Sequence, residues 1–213
     1  MNRTSIGKAY CNGVGIEVGP GHFPWDTPQK SLYVDRCTRA ELLPQFPVES
    51  RDKIPETDIV ADGFKLTVDM AGLVDYVVSS HVLEHTPRPA EALDNWASVI
   101  KPGGYIVGAV PNKDHSFDLP RPITTWDDLT TGDLTTFKLR QYREWFSLMD
   151  RLKGQTLEDT IVKAAAGDDH IHFAVWDYPT FEAFLTRYTA ERGMTLVELS
   201  PSSHEIFFVL RTV

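Results

Sequence analysis

The order of apolar and polar positions along the chain predicts alternating strands and helices. Val14–Val18, Ser31–Asp35, Asp58–Ala61, Asp75–Ser79 and Tyr105–Val110 are short apolar or β-branched runs, each followed by glycine or polar residues. Such runs read as buried parallel strands whose C-terminal ends hold a ligand. Between the fourth and fifth, Ala90, Leu93, Trp96, Ala97 and Ile100 share one helical face, with Pro87 and Pro89 before them and Lys101-Pro-Gly-Gly104 after. Proline at the start and glycine at the stop bound an amphipathic helix. Strand, covering helix and strand make a right-handed crossover, and its repetition gives an open, doubly wound sheet. Near the end, the segment from Pro179 to Tyr188 reads as a helix opened by proline. Thr195–Leu199 and Ile206–Leu210, joined through Pro201-Ser-Ser-His204, read as an antiparallel hairpin closing the sheet edge. Asn112–Asp177 is too long for a plain loop and carries helical stretches from Thr136 to about Lys153 and from Leu157 to Ala165. It is read as a cap, residues 112–177, inserted over the ligand end of a single domain spanning 1–213.

Composition narrows the class. With 213 residues, 42% of them hydrophobic and 24% charged, the chain suits one globular domain with a full core. A formal charge of -9 with no basic run argues against nucleic acid as a partner. No stretch reaches the roughly 20 apolar residues needed to span a bilayer, and the first ten residues do not resemble a signal peptide. A soluble, cytoplasmic protein is expected. Cys11 and Cys37 lack metal or C-x-x-C spacing and read as reduced thiols.

The chemistry lies at the strand ends. Gly15-Ile-Glu-Val-Gly-Pro-Gly21 closes the first strand, and a side chain at Gly19 or Gly21 would obstruct close approach of a ligand. Asp35 ends the second strand 16 residues after Gly19, shorter than the roughly 20 residues of a dinucleotide fingerprint. Gly13-Val-Gly15 precedes its strand and has Val18 at the third glycine position, which disfavours a nicotinamide dehydrogenase. Asp62-Gly63 follows the third strand, and Ser79-Ser-His81 ends the fourth.

Together these segments resemble the cofactor half of a class I S-adenosylmethionine-dependent methyltransferase. The resemblance extends to a bacterial methyltransferase-like group linked with glycosyltransferases and surface-polysaccharide synthesis. It is carried by Ile16-Glu-Val-Gly-Pro20, Tyr33-Val-Asp35, Ser80-His-Val-Leu-Glu-His85, Val110-Pro-Asn-Lys113 leading to Phe117-Asp118, Asp169-His-Ile-His172 and Glu205-Ile-Phe-Phe-Val-Leu-Arg211. It implies an α/β, Rossmann-like methyltransferase fold: a mostly parallel seven-stranded sheet with an antiparallel last strand and an inserted helical cap. The cofactor implied is S-adenosylmethionine, with Glu17, Gly19, Pro20, Gly21, Asp35, Arg36, Asp62, Gly63, Ser79 and Ser80 as its candidate contacts. Gly19 and Gly21 would face the methionine part, Asp35 the ribose and the Asp62 segment the adenine. The chain departs from the pattern twice: Pro24 and Pro28 oppose the usual helix after the first loop, and Asn112 stands in place of an acidic residue.

The acceptor expected is a small or glycosyl hydroxyl. O-methylation benefits from a base that titrates near neutrality, and His81 and His115 are the candidates because both follow strands whose ends flank the sulfonium. Asp168-Asp-His-Ile-His172 with Asp114 and Asp118 has the residue types of a metal site, but convergence cannot be read from spacing and no metal is expected. Phe117, Trp126, Tyr142, Trp145, Phe146 and Trp176 are read chiefly as the cap's own core. The alternative to an enzyme is a noncatalytic module of the same fold that partners a glycosyltransferase.

Overall fold

A computed structural model describes residues 2–148, 156–167 and 171–213. The strands are β1 (Gly15–Val18), β2 (Leu32–Asp35), β3 (Ile59–Val60), β4 (Val74–Ser80), β5 (Ile100–Pro111), β6 (Thr195–Pro201) and β7 (Glu205–Arg211). They form one sheet in the order β3-β2-β1-β4-β5-β7-β6. The first five run parallel, and β7 is antiparallel to both β5 and β6. This is the Rossmann-like methyltransferase fold that the strand pattern and the resemblance imply. The chain order reverses between β1 and β4, which leaves a crevice at their C-terminal ends.

The helices are α1 (Arg3–Tyr10), α2 (Arg39–Leu42), α3 (Pro89–Val99), α4 (Trp126–Thr130), α5 (Leu134–Leu148), α6 (Leu157–Gly167) and α7 (Tyr178–Arg192). α3 buries Ala90, Leu93, Trp96 and Val99 against one sheet face. α7 begins on an Asp177–Thr180 capping box and ends on Gly193 at φ 68°, a left-handed cap that glycine adopts without penalty. Side chains of the inserted segment, including Leu129, Phe137, Tyr142, Phe173 and Trp176, join the same core. Of the cap aromatics, Tyr142, Trp145 and Trp176 are buried and Trp126 and Phe146 half-buried, whereas Phe117 is 50% exposed.

The opposite face carries a smaller core of Ile6, Cys11, Trp25, Tyr76, Val78, Val107, Ala109, Phe207 and Val209. No helix forms between β1 and β2, as Pro24 and Pro28 require, so this face is roofed by α1 and the loop bearing Trp25. α1 is not evident in the sequence pattern, because its eight residues bury only Ile6 and Gly7. The fifth strand also differs from expectation. It starts at Ile100 instead of Tyr105 and absorbs the Lys101-Pro-Gly-Gly104 turn as a register shift against β4. α5 follows the expected helix up to Leu148, and residues 149–155 lie outside the described residues. Both cysteines are free thiols, and burial pushes that of Cys11 up to about 12. No described helix is long and apolar enough to cross a membrane.

Candidate active site

The crevice opens into a cavity of about 690 Å³ lined by the ends of β1, β2 and β4 and the segments that follow them. Gly19 and Gly21 sit at φ +60° and +53°, conformations open to glycine at little cost. A Cβ on Gly19 would lie 2.8 Å from the Val82 side chain, and one on Gly63 only 2.3 Å from Val18. Beside the glycines, on the adjacent strand, Asp35 and Arg36 stand at the end of β2, and Leu42, Phe46 and Phe64 supply apolar wall. Burial raises the Asp35 carboxyl above its usual range, opposed by hydrogen bonds from the Cys37 and Arg36 backbone.

The floor is fixed from behind by α3. Trp96 donates its indole N–H to the Gly63 carbonyl at 2.7 Å, and Asn95 brackets the Leu66 backbone with bonds of 2.7 and 3.1 Å. Asp62 accepts from the Phe64 amide at 3.0 Å, closing the turn.

The cavity wall thus gathers Gly19, Gly21, Asp35, Arg36, Asp62, Gly63 and His81 from the residues singled out in the sequence, and adds Val82 and His85. Glu17, Pro20, Ser79, Ser80 and His115 are not part of that wall. Glu17 is buried and accepts the Trp25 amide at 3.0 and 3.2 Å, tying the glycine loop back onto β1. Burial pushes its carboxyl up to about 8, against the lowering effects of that bond and of the Arg3 charge. The Ser79 and Ser80 hydroxyls are buried without a hydrogen-bond partner among the described residues. His115 is exposed, and its carbonyl accepts from the His204 ring at 2.9 Å.

At the β4 end of the cavity, His81 has a left-handed backbone, φ 54°, held by its amide bond to Ala109 O at 3.0 Å. Its ring lies between two carboxylates, with Nε2 2.7 Å from Glu205 and Nδ1 3.6 Å from Glu84. Burial alone would lower its pKa, but the Glu205 bond and the Glu84 charge more than offset this and raise it to about 9. Glu205 is also held by Arg3. Beyond Glu84 the polar contacts continue: His172 Nε2 is 3.8 Å from Glu84, His172 Nδ1 is 2.5 Å from Asp118, and Arg121 reaches Asp118 at 2.8 Å. Glu84 is fully buried; burial would raise its carboxyl, yet His81 above all, with His172 and His85, shifts it below its usual value.

Of the residues weighed as a metal cluster, Asp118 and His172 meet, Asp114 is exposed, and Asp168–His170 lie outside the described residues. Glu84, beside His85 in the strand-four motif, carries no sequence signal that marks it as a site residue. Only its burial next to two imidazoles, one contributed from the far end of the cap, distinguishes it.

A profile of methyltransferase domains matches residues 11–151. No curated protein sequence matches the chain. Among solved structures, an S-adenosylmethionine dependent methyltransferase from Mesorhizobium loti superposes with a TM-score of 0.50 at 15% identity, over 92% of this chain and 89% of that one. A Listeria monocytogenes protein named as an S-adenosylmethionine dependent methyltransferase gives 0.51 at 12% identity, over 94% and 91%. A Rhodobacter sphaeroides protein named as a Zn-dependent alcohol dehydrogenase gives 0.58 at 13% identity, over 94% and 84%. At these identities the superpositions speak for the fold. The profile covers well over half of the chain, which therefore belongs to the methyltransferase domain family. It is a methyltransferase, and S-adenosylmethionine is the cofactor that this membership implies. The residues fit that group: a glycine cradle that a Cβ would fill, a carboxylate at the end of β2 and an apolar wall beside it.

Proposed function

We propose that the protein transfers a methyl group from S-adenosylmethionine to a hydroxyl of a small, sugar-sized acceptor that enters at the His81–His85 end of the cavity. The observation that carries this reading is the continuity of the glycine and Asp35 cradle with the charged β4 end. Gly19 and Gly21 would take the methionine portion, Asp35 the ribose hydroxyls, and Asp62, Gly63 and Phe64 the adenine. The cofactor supplies an electrophilic methyl group, and the chain's task is to bring the acceptor oxygen in line with it. Phe117, half-exposed and 4.9 Å from the His172 ring, offers a flat apolar surface for a sugar face. The cap, residues 112–177, would then form the acceptor side of a single domain, and the resemblance to the polysaccharide-linked group favours a glycosyl acceptor.

His81 is the proposed base, and its setting gives that role a condition. Between Glu205 and Glu84 it holds a proton up to about pH 9, so it must lose that proton before it can accept another. Turnover through His81 is therefore expected to climb with pH toward 9 and level off. His115, off the cavity wall, is given no part.

Two measurements test the reading. Titration calorimetry with S-adenosylhomocysteine is expected to show binding that Asp35→Ala weakens about ten- to hundredfold, the cost of leaving ribose hydroxyls without a charged acceptor. Release of S-adenosylhomocysteine with sugar acceptors is expected for the wild type and is expected to fall about 10²- to 10⁴-fold in His81→Asn. Asparagine is chosen because it tolerates the left-handed backbone at this position. Unchanged affinity in folded Asp35→Ala would sink the cofactor placement, and a flat pH profile would remove His81 as base.

A further inference from the structure

We propose that Glu84, His85 and His172 bind a divalent transition cation of the zinc class at the edge of the cofactor cavity. One ligand atom from each of the three lies within 4.8 Å of the others. Two imidazoles and one carboxylate form a donor set suited to zinc, and they are the three ligands found among the described residues. His85 is itself part of the cavity wall, so a cation held here would border the space assigned to the acceptor.

Three features distinguish this cluster from a chance meeting of polar groups. First, neither oxygen of the fully buried Glu84 carboxylate has a hydrogen-bond partner among the described residues. The nearest imidazole nitrogens stand at 3.6 and 3.8 Å, too far for a hydrogen bond. A buried carboxylate with its lone pairs unmet is costly, and a cation is the partner that offsets this best.

Second, each imidazole is oriented by its other nitrogen. His172 presents Nδ1 to the Asp118 carboxylate at 2.5 Å, and His85 presents Nδ1 to the Ile171 carbonyl at 3.0 Å. With Nδ1 protonated to make such a bond, a neutral ring carries its lone pair on Nε2, and in His172 that is the nitrogen 3.8 Å from Glu84. Asp118 is fixed in turn by Arg121, which also donates to the His172 carbonyl at 2.8 Å.

Third, the backbone locks the two halves together. The Phe173 and Ala174 amides both donate to the Glu84 carbonyl, at 2.7 and 3.1 Å, joining the Leu83–His85 turn to the end of the cap. Phe117 and Trp145 pack on His172 with ring centroids 4.9 and 5.4 Å away, which lowers the local dielectric around the nitrogen donors.

The proposal can be tested without an acceptor. Full-length protein is stripped with chelator and titrated with zinc by calorimetry against a competing chelator. Cobalt(II) is added to a second sample and its visible absorption recorded. One zinc per chain is expected, together with the intense cobalt bands of a four-coordinate site. Glu84→Gln and His172→Gln are expected to lose zinc binding by 100-fold or more, and Asp118→Asn, acting through His172, by about 10- to 100-fold. Should Glu84→Gln fail to fold, the wild-type cobalt spectrum and Asp118→Asn still decide the matter. Zinc binding at millimolar concentration only, octahedral cobalt, or unchanged affinity in a folded variant would overturn the site. The control is Asp35→Ala, which is expected to keep zinc while losing S-adenosylhomocysteine. Failure of the cofactor assignment is thereby read separately from failure of the metal site.

Discussion

Glu17 and Glu205 are both carboxyl groups near Arg3, yet their surroundings push them apart. Glu205, bonded to His81 and Arg3, is lowered to about 2 despite partial burial, whereas Glu17 is buried with one backbone donor and is raised to about 8. His81, raised to about 9, is the third member. Linkage fixes the direction of each effect. A raised folded-state pKa means stability that is complete below the unfolded value and lost as pH climbs through the folded one. Glu17 therefore subtracts stability between the ordinary carboxyl value of 4.5 and about 8, and His81 between 6.5 and about 9. Glu205 contributes stability above 4.5 that is lost as pH falls through about 2. Urea midpoints measured from pH 4 to 9.5 are expected to decline across the alkaline half. Glu17→Gln should flatten the lower part of that decline and His81→Asn the upper part. A Glu17→Gln profile parallel to that of the wild type would show that Glu17 ionises normally in the fold.

Among the elements, α3 acts at a distance from the ligand. Its Trp96 fills the core and also bonds the carbonyl of Gly63, a residue with no space for a side chain. Trp96→Phe keeps most of the apolar volume and leaves that carbonyl unmet, so a loss of about 1–3 kcal/mol in stability is expected. S-adenosylhomocysteine affinity should weaken with it, because the Asp62–Leu66 turn loses its brace. Calorimetry beside thermal melts checks both, and full affinity in the variant would mean that Asn95 alone holds the turn.

α3 also marks how much was legible in advance. Its apolar spacing and flanking prolines define it from sequence, as the buried runs define β1, β2, β4 and the C-terminal hairpin. α1 escaped because so little of it is apolar, and the start of β5 escaped because Pro102, Gly103 and Gly104 look like a stop within what is a bulged strand. For the site, Gly19, Gly21 and Asp35 follow strands and were readable by position. The Glu84–His172 and Asp118–His172 pairings depend on how the cap folds back, with Asp118 and His172 54 residues apart, and no local pattern encodes that.

At the scale of the whole molecule, the two sheet faces are covered unequally. Among the described residues, one carries α3, α7 and much of the 112–177 segment, the other α1 and the Trp25 loop. Hydrogen exchange is expected to follow this difference, with slow amides in β4 and β5 and faster ones through α1. Equal protection of α1 and α3 would contradict it.

The thin face has a long-range consequence as well. Its residues Arg3, Ile6 and Trp25 rest in part on residues far along the chain: Arg3 pairs with Glu205, 202 positions away, and Trp25 meets the Phe207 ring at 6.2 Å. Without the β6–β7 hairpin, β4 and β5 would still offer α1 Tyr76, Val78, Val107 and Ala109, but the Glu205 and Phe207 contacts that fasten Arg3 and Trp25 would be missing. The β6–β7 hairpin thus fastens α1 and the Trp25 loop to the sheet. It also delivers Glu205 to His81, so the charged setting of the proposed base is complete only once β7 is in place.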